Sequence, residues 1–291
     1  MYFTALCILV LIIGCTAKPA RQDREGGSDS RSDGASAISA QESEEGTASF
    51  PDGASAKLAQ EDVEEGMASF PDGAASAQSA MLDREYGVFL GLDAAQADRM
   101  REYRLAVVEP SAFSAEQLGE LHDAGKTVYA YLNMGAVEEY RPYYDRFQEL
   151  TLDVYEDWPD ERWIDVSSPA WQEFLVDELG SRYAAMGFDG FFLDNADVYY
   201  HSPEEDIFQG LCTILRGLKT YHVPLILNGG DCFVSRCMEE GRALSLFDGI
   251  NQETVFTSIH FDSKTYGAQA EDTTAYYQQY LARAKDCGLS V

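Results

Sequence analysis

From Tyr86 onward, short apolar runs alternate with longer mixed stretches. Residues 86–92, 105–108, 127–132, 188–193 and 223–227 are runs of strand length, and 247–250 opens a further one. Between them lie helical signals. Ser114 is a candidate N-cap, with Gln117 at the third helical position, Leu118 and Leu121 on the apolar face, and Gly125 as the stop. Pro169 opens a long helix through Met186, and Gly187 ends it. A further helix is expected over 273–286. Strands of four to eight apolar residues separated by helices argue for parallel βαβ units. Both a barrel and a doubly wound sheet fit this alternation. No Gly-x-Gly-x-x-Gly follows the first strand, which weakens a dinucleotide-binding reading.

Upstream of Tyr86 the pattern is different. Residues 6–13 form an apolar run ending at Gly14 and Cys15. The run is too short to span a bilayer as a helix and has the length of a signal-peptide core. Ile12-Ile13-Gly14-Cys15 resembles the bacterial lipobox, which implies lipidation of Cys15 and anchorage to a membrane without spanning it. The first four residues carry no Lys or Arg, and an ordinary secretory signal with an incidental cysteine is the alternative. Residues 1–15 are thus expected to be the signal, and the protein to be extracytoplasmic. Residues 16–84 are rich in Ala, Ser, Gly, Asp and Glu, and read as a disordered acidic linker. The linker contains a duplication: Glu44-Glu45-Gly46-Thr47-Ala48-Ser49-Phe50-Pro51-Asp52-Gly53 returns as Glu64-Glu65-Gly66-Met67-Ala68-Ser69-Phe70-Pro71-Asp72-Gly73.

Charge narrows the function. The 291 residues include 50 acidic and 21 basic side chains, a formal net charge of −29. Binding phosphates needs Lys and Arg, so nucleic acid is disfavoured. Cationic partners, or solubility alone, are the readings left. The four histidines, His122, His201, His222 and His260, show no helix-ligand spacing. No metal site and no cofactor are expected. Cys212, Cys232, Cys237 and Cys287 follow the signal. An exported location permits disulfides, and Cys232 with Cys237 could close a small loop, but buried free thiols are favoured.

Polar residues recur where the strands end. Asp93 follows the first, Asn133 the third, Asp194, Asn195 and Asp197 the fourth, Asn228 and Asp231 the fifth, and Asn251, Gln252 and Glu253 the sixth. In a (β/α) barrel the active site lies at that face. Any one of these residues could be a helix cap. Asp194 and Glu253 would face one pocket, and two carboxylates flanking a pocket are the equipment of glycoside hydrolysis. One stays protonated to release the leaving oxygen, while the other is ionised to attack carbon or activate water.

The ordered set Tyr131-Leu-Asn-Met-Gly135, Glu138-Glu-Tyr-Arg141, Ser168-Pro-Ala-Trp-Gln172, Gly187-Phe-Asp-Gly-Phe-Phe-Leu-Asp194, Ile226-Leu-Asn-Gly-Gly230 and Asp248-Gly-Ile-Asn-Gln-Glu-Thr-Val-Phe256 resembles glycoside hydrolase family 114, the endo-α-1,4-polygalactosaminidases. The resemblance implies an α/β fold, a (β/α)8 TIM barrel over 85–291, that cleaves α-1,4-linked galactosamine polymers; a monomer is expected. It places the catalytic pair on Asp194, as nucleophile, and Glu253, as general acid/base. It also implies substrate contacts from Asp93, Tyr131, Asn133, Asn195, Asp197, Asn228 and Gln252. The acidic charge would then attract a cationic polysaccharide. Two departures stand out. Ala136 replaces the Glu that follows the glycine in many relatives. The chain stops at Val291, just after the start of a seventh strand, so an incomplete barrel that is unstable or aggregates is expected. The rival readings are an inactive carbohydrate-binding lipoprotein of the same fold, and a metal-dependent hydrolase built on Asp194 and Asp197.

Overall fold

A computed structural model describes residues 84–291, apart from 157, 262 and 264 and the side chain of Arg84. The signal, Cys15 and nearly all of the linker lie outside the described residues.

The apolar runs become six parallel strands: β1 (Arg84–Phe89), β2 (Tyr103–Val108), β3 (Thr127–Asn133), β7 (Gly190–Asp194), β8 (Leu225–Asn228) and β9 (Gly249–Asn251). Their order in the sheet is β1-β2-β3-β7-β8-β9, every pair parallel. Sequence order and spatial order therefore coincide. A doubly wound sheet needs a point where the order reverses; this sheet has none, and its winding is that of a barrel. Gly249 also bridges in parallel to Ser290, at the expected opening of a seventh strand.

The sheet is strongly curled. Six strands laid flat would put the outer two roughly 24 Å apart, at about 4.8 Å per step. Yet the Tyr86 hydroxyl on β1 donates to Oδ1 of Asn251 on β9 at 2.5 Å. Among the described residues β1 and β9 do not pair, so the barrel is open between them.

Alternation along each strand sends side chains to two different environments. Ala106, Val108, Val128, Ala130, Leu132, Phe191, Leu193, Leu225 and Leu227 face outward into the main core. There they meet Leu118, Trp171, Phe174, Leu175, Phe208, Leu211, Leu215 and Phe233 from the surrounding helices. Each such side chain removed from water contributes about 1.5–3 kcal/mol before chain entropy is counted. Val107, Tyr129, Tyr131 and Phe192 point inward and form a smaller cluster. The inner face is only partly filled, leaving a hollow of about 400 Å3 bordered by Tyr86, Val107, Tyr129, Phe192 and Ile250.

The helical signals were read correctly at their caps. Ser114 accepts from Gln117 N as the N-cap of helix Ala115–Asp123, and Gln117 Oε1 accepts from Ser114 N. The expected 169–186 helix is continuous but contains a π-helical stretch, Phe174–Gly180, between α-helical Pro169–Glu173 and Ser181–Met186. The expected 273–286 helix runs Glu271–Asp286. Helices Glu205–Lys219 and Asp231–Glu239 complete the outer layer. All four described cysteines are free.

Two insertions lacked a clear apolar signature. After β3 the chain builds an antiparallel three-stranded sheet, β4 (Ala136–Glu138), β5 (Thr151–Tyr155) and β6 (Trp158–Ile164), in the order β4-β6-β5. After β9 it forms an antiparallel hairpin, β10 (Thr257–His260) with β11 (Thr265–Ala268).

Candidate active site

Strand register assembles the site. Asn133 pairs with Asp194, and Asn228 pairs with Asn251. Leu193 pairs with Leu227, which sets Asp194 beside Asn228. Because Leu132, Leu193 and Leu227 face the helices, the residues after them face inward. The consequence is one row, Asn133–Asp194–Asn228–Asn251, across four strand ends.

Hydrogen bonds tie that row together. The Tyr131 hydroxyl, from the layer beneath, donates to Asp194 Oδ2 at 2.8 Å. Asn228 Nδ2 donates to Asp194 Oδ1 at 3.0 Å and to Glu253 Oε1 at 3.3 Å. Asn228 Oδ1 accepts from Asn251 Nδ2 at 2.6 Å, fixing which way the amide points. The two expected carboxylates therefore share one amide nitrogen.

Asp194 is 1 % exposed. Burial pushes its pKa up to about 6, against the hydrogen bonds from Asn228 and Tyr131 that favour the ionised form. Tyr131 is buried beside Asp194, and burial together with the neighbouring carboxylates holds its phenol well above its ordinary value. It therefore remains a donor.

Asn195 supports the row through its backbone. It adopts φ +64°, a left-handed conformation uncommon outside glycine. Its Nδ2 donates to Asn133 Oδ1 at 3.0 Å, and the same oxygen accepts from Ala136 N at 3.0 Å. The turn is tight: a Cβ on Gly135 would lie 1.7 Å from the Asn195 carbonyl oxygen. Asp197 lines one pocket with Asp194, Asn228, Gly229 and Glu253. Its Oδ2 accepts from Gly230 N at 3.0 Å, so it shapes the loop after β8.

Two expected contacts stand apart. Asp93 is exposed and caps the 3-10 helix Ala94–Met100, with its N–H donating to Gln96 Oε1. The side chain of Gln252 turns back to the Glu253 carbonyl at 3.1 Å.

Three participants were not among the expected site residues. Tyr86 and Asn251 extend the network to β1. Glu161, on β6, brings Oε2 to 3.5 Å from both Asn133 Nδ2 and Asn195 Nδ2. Burial, with Glu138 and Asp194 nearby, pushes the Glu161 pKa up to about 8. Asn251 was visible as a strand-end residue. Glu161 gave no such signal, since it lies within Trp158-Pro-Asp-Glu-Arg, in an insertion.

The model of the glycoside-hydrolase family GH114 matches residues 71–225, a span that includes Asp194 and stops short of Glu253. An uncharacterized protein of Deinococcus radiodurans is 36% identical over 80 residues, which is 26% of this chain and 26% of that protein. The match thus spans about a quarter of that relative's length. Among solved structures, the glycoside hydrolase domain of PelA from Pseudomonas aeruginosa has a TM-score of 0.57 at 16% identity, over 71% of this chain and 81% of that one. A variant of the same domain gives a TM-score of 0.59 over the same shares. At that identity the likeness concerns the fold, and it agrees with the open barrel. The family match covers more than half of the sequence, and by it the chain belongs to glycoside hydrolase family GH114.

Proposed function

We propose that this protein hydrolyses α-1,4-glycosidic bonds in a galactosamine-containing polysaccharide, with Asp194 as nucleophile and Glu253 as general acid/base. The observation that carries the reading is the bridge from Asn228 Nδ2 to both carboxylates. Asp194, ionised above about pH 6, attacks the anomeric carbon while Glu253 gives a proton to the departing oxygen. A glycosyl ester on Asp194 results. Water then attacks the same carbon as Glu253 takes back a proton, and Asp194 is released. Tyr131 and Asn228 hold the attacking carboxylate in one orientation.

The bridge also bears on stereochemistry. One nitrogen reaches Asp194 Oδ1 at 3.0 Å and Glu253 Oε1 at 3.3 Å. An amide nitrogen shared by both carboxylates suits the closer spacing of a retaining pair, about 5–5.5 Å, better than the wider gap an inverting pair leaves for water. The galactosamine polymer is supported by the ordered motifs and by the acidic charge, which suits a cationic substrate. The proposal also places the hydrolase domain at 85–291, held off a membrane by the 16–84 linker and a lipidated Cys15.

The test is reducing-end release from partly deacetylated α-1,4-polygalactosamine. Asp194→Asn and Glu253→Gln are each expected to lower kcat by about 10²–10⁴-fold. Full activity in either variant, in folded protein, would overturn the assignment.

A further inference from the structure

The carboxylate on the insertion sheet has no part in the two-carboxylate mechanism, yet it faces the same site. Glu161 and Glu138 are Cα partners on β6 and β4, and their surroundings differ sharply. Glu138 is paired: Arg141 Nε donates to its Oε2 and Nη2 to its Oε1, each at 2.9 Å. The same guanidinium reaches Glu109 through Nη1 at 3.0 Å. Arg162, next along β6, turns away, with Nη1 on the carbonyls of Pro159 and Glu161 and Nη2 on Glu139. Among the described residues no cation pairs with Glu161. Its hydrogen-bond donors are the neutral amides of Asn133 and Asn195, both at the long limit of 3.5 Å.

We propose that Glu161 is a specificity-determining residue, which accepts the protonated amine of a galactosamine unit bound against Asp194 and so selects deacetylated over N-acetylated polymer. This rests on the galactosamine reading above. The amine is carried on the carbon next to the one Asp194 attacks. Asn133 and Asn195, which touch Glu161, are the strand partner and the chain neighbour of Asp194. The Glu161 carboxylate therefore stands beside the place where that amine must sit.

The electrostatics agree. Asp194 and Glu138 disfavour a further negative charge at Glu161, and Arg141 and Asn133 oppose them only in part. A bound ammonium supplies the missing cation and a charge-assisted hydrogen bond. An N-acetyl group supplies no charge, one N–H, and an added methyl. Selection by a partner left unpaired with the wrong substrate is stronger than selection by apolar fit.

The experiment compares kcat/KM for fully deacetylated and fully N-acetylated α-1,4-galactosamine oligomers, using the full chain. The variants are Glu161→Gln and the charge-retaining Glu161→Asp. Wild type is expected to prefer the deacetylated oligomer. In Glu161→Gln that preference falls at least tenfold, chiefly through KM on the deacetylated oligomer, with a smaller change on the acetylated one. Glu161→Asp recovers part of it. An unaltered preference in Glu161→Gln, or equal losses on both oligomers, overturns this proposal while leaving the hydrolase reading in place. Folded wild type that cleaves neither oligomer overturns the hydrolase reading, and this one with it.

Discussion

At the scale of the residue, the proposed chemistry depends on how burial and hydrogen bonds divide the control of a few carboxylates. Asp194 is raised by burial and restrained by Asn228 and Tyr131. Tyr131→Phe removes one restraining bond, so the Asp194 pKa is expected to move above about 6. The acid limb of the kcat/KM profile should then shift to higher pH, with a loss near neutrality of roughly tenfold or more. Glu161 offers a stability test. Its folded pKa of about 8 exceeds the ordinary 4.5, so the folded chain binds that proton more tightly than the unfolded chain. Below about pH 4.5 both states are protonated and the group costs nothing. Between that value and about pH 8 the unfolded state has already released its proton, and stability falls as pH rises. Glu161→Gln cannot ionise. Thermal melts should show the variant gaining on wild type from pH 5 to pH 8. A gap independent of pH would contradict the shift.

Among the elements, the decisive feature is the junction of β3 with the segment after β7. Gly135 passes so close to Asn195 that any side chain there meets the Asn195 carbonyl. The same junction is held by Met134 N donating to the Asp194 carbonyl, and by Trp171 Nε1 donating to the Met134 carbonyl at 2.9 Å. Gly135→Ala therefore forces two strand ends apart. It is expected to cost on the order of 3 kcal/mol in denaturant unfolding, and to reduce activity in the fraction that folds. A variant of native stability would show that the junction has slack. The insertion that follows is equally consequential, because β6 delivers Glu161 to a site otherwise built from barrel strand ends.

For the whole molecule, the sheet is a curled open barrel whose row of polar strand-end residues spans β3 to β9. The proposed hydrolysis of an extracellular polymer requires that the domain be exported. The proposed anchor is tested by fractionating cells that express the full chain. Wild type is expected with membranes, and Cys15→Ala in the soluble extracytoplasmic fraction. Equal partition of both would remove lipidation as the anchor.

Much of this was legible from the sequence, for reasons that are local. Central parallel strands such as β3 and β7, buried on both faces, must be apolar runs, and the outer strands carry apolar runs of strand length too. Caps such as Ser114 with Gln117, and the stop at Gly187, are fixed by neighbours in the chain. Strand ends mark one face of the barrel, so Asn133, Asp194, Asn228 and Glu253 could be grouped before any contact was known. Asp93 shows the limit of that rule, because a strand-end carboxylate serves equally well as a cap. What only the tertiary structure decided depends on register and curl. Alternation alone could not choose between a barrel and a doubly wound sheet; the unbroken order of strands did. The shared Asn228 bridge exists because Leu193 lies opposite Leu227, a pairing that the run lengths do not encode. Glu161 was missed because β6 and its neighbour β5 are antiparallel and partly exposed, with polar residues on much of their surface. Its role follows from folding over the strand ends, where the absence of a cation beside a buried carboxylate first becomes visible.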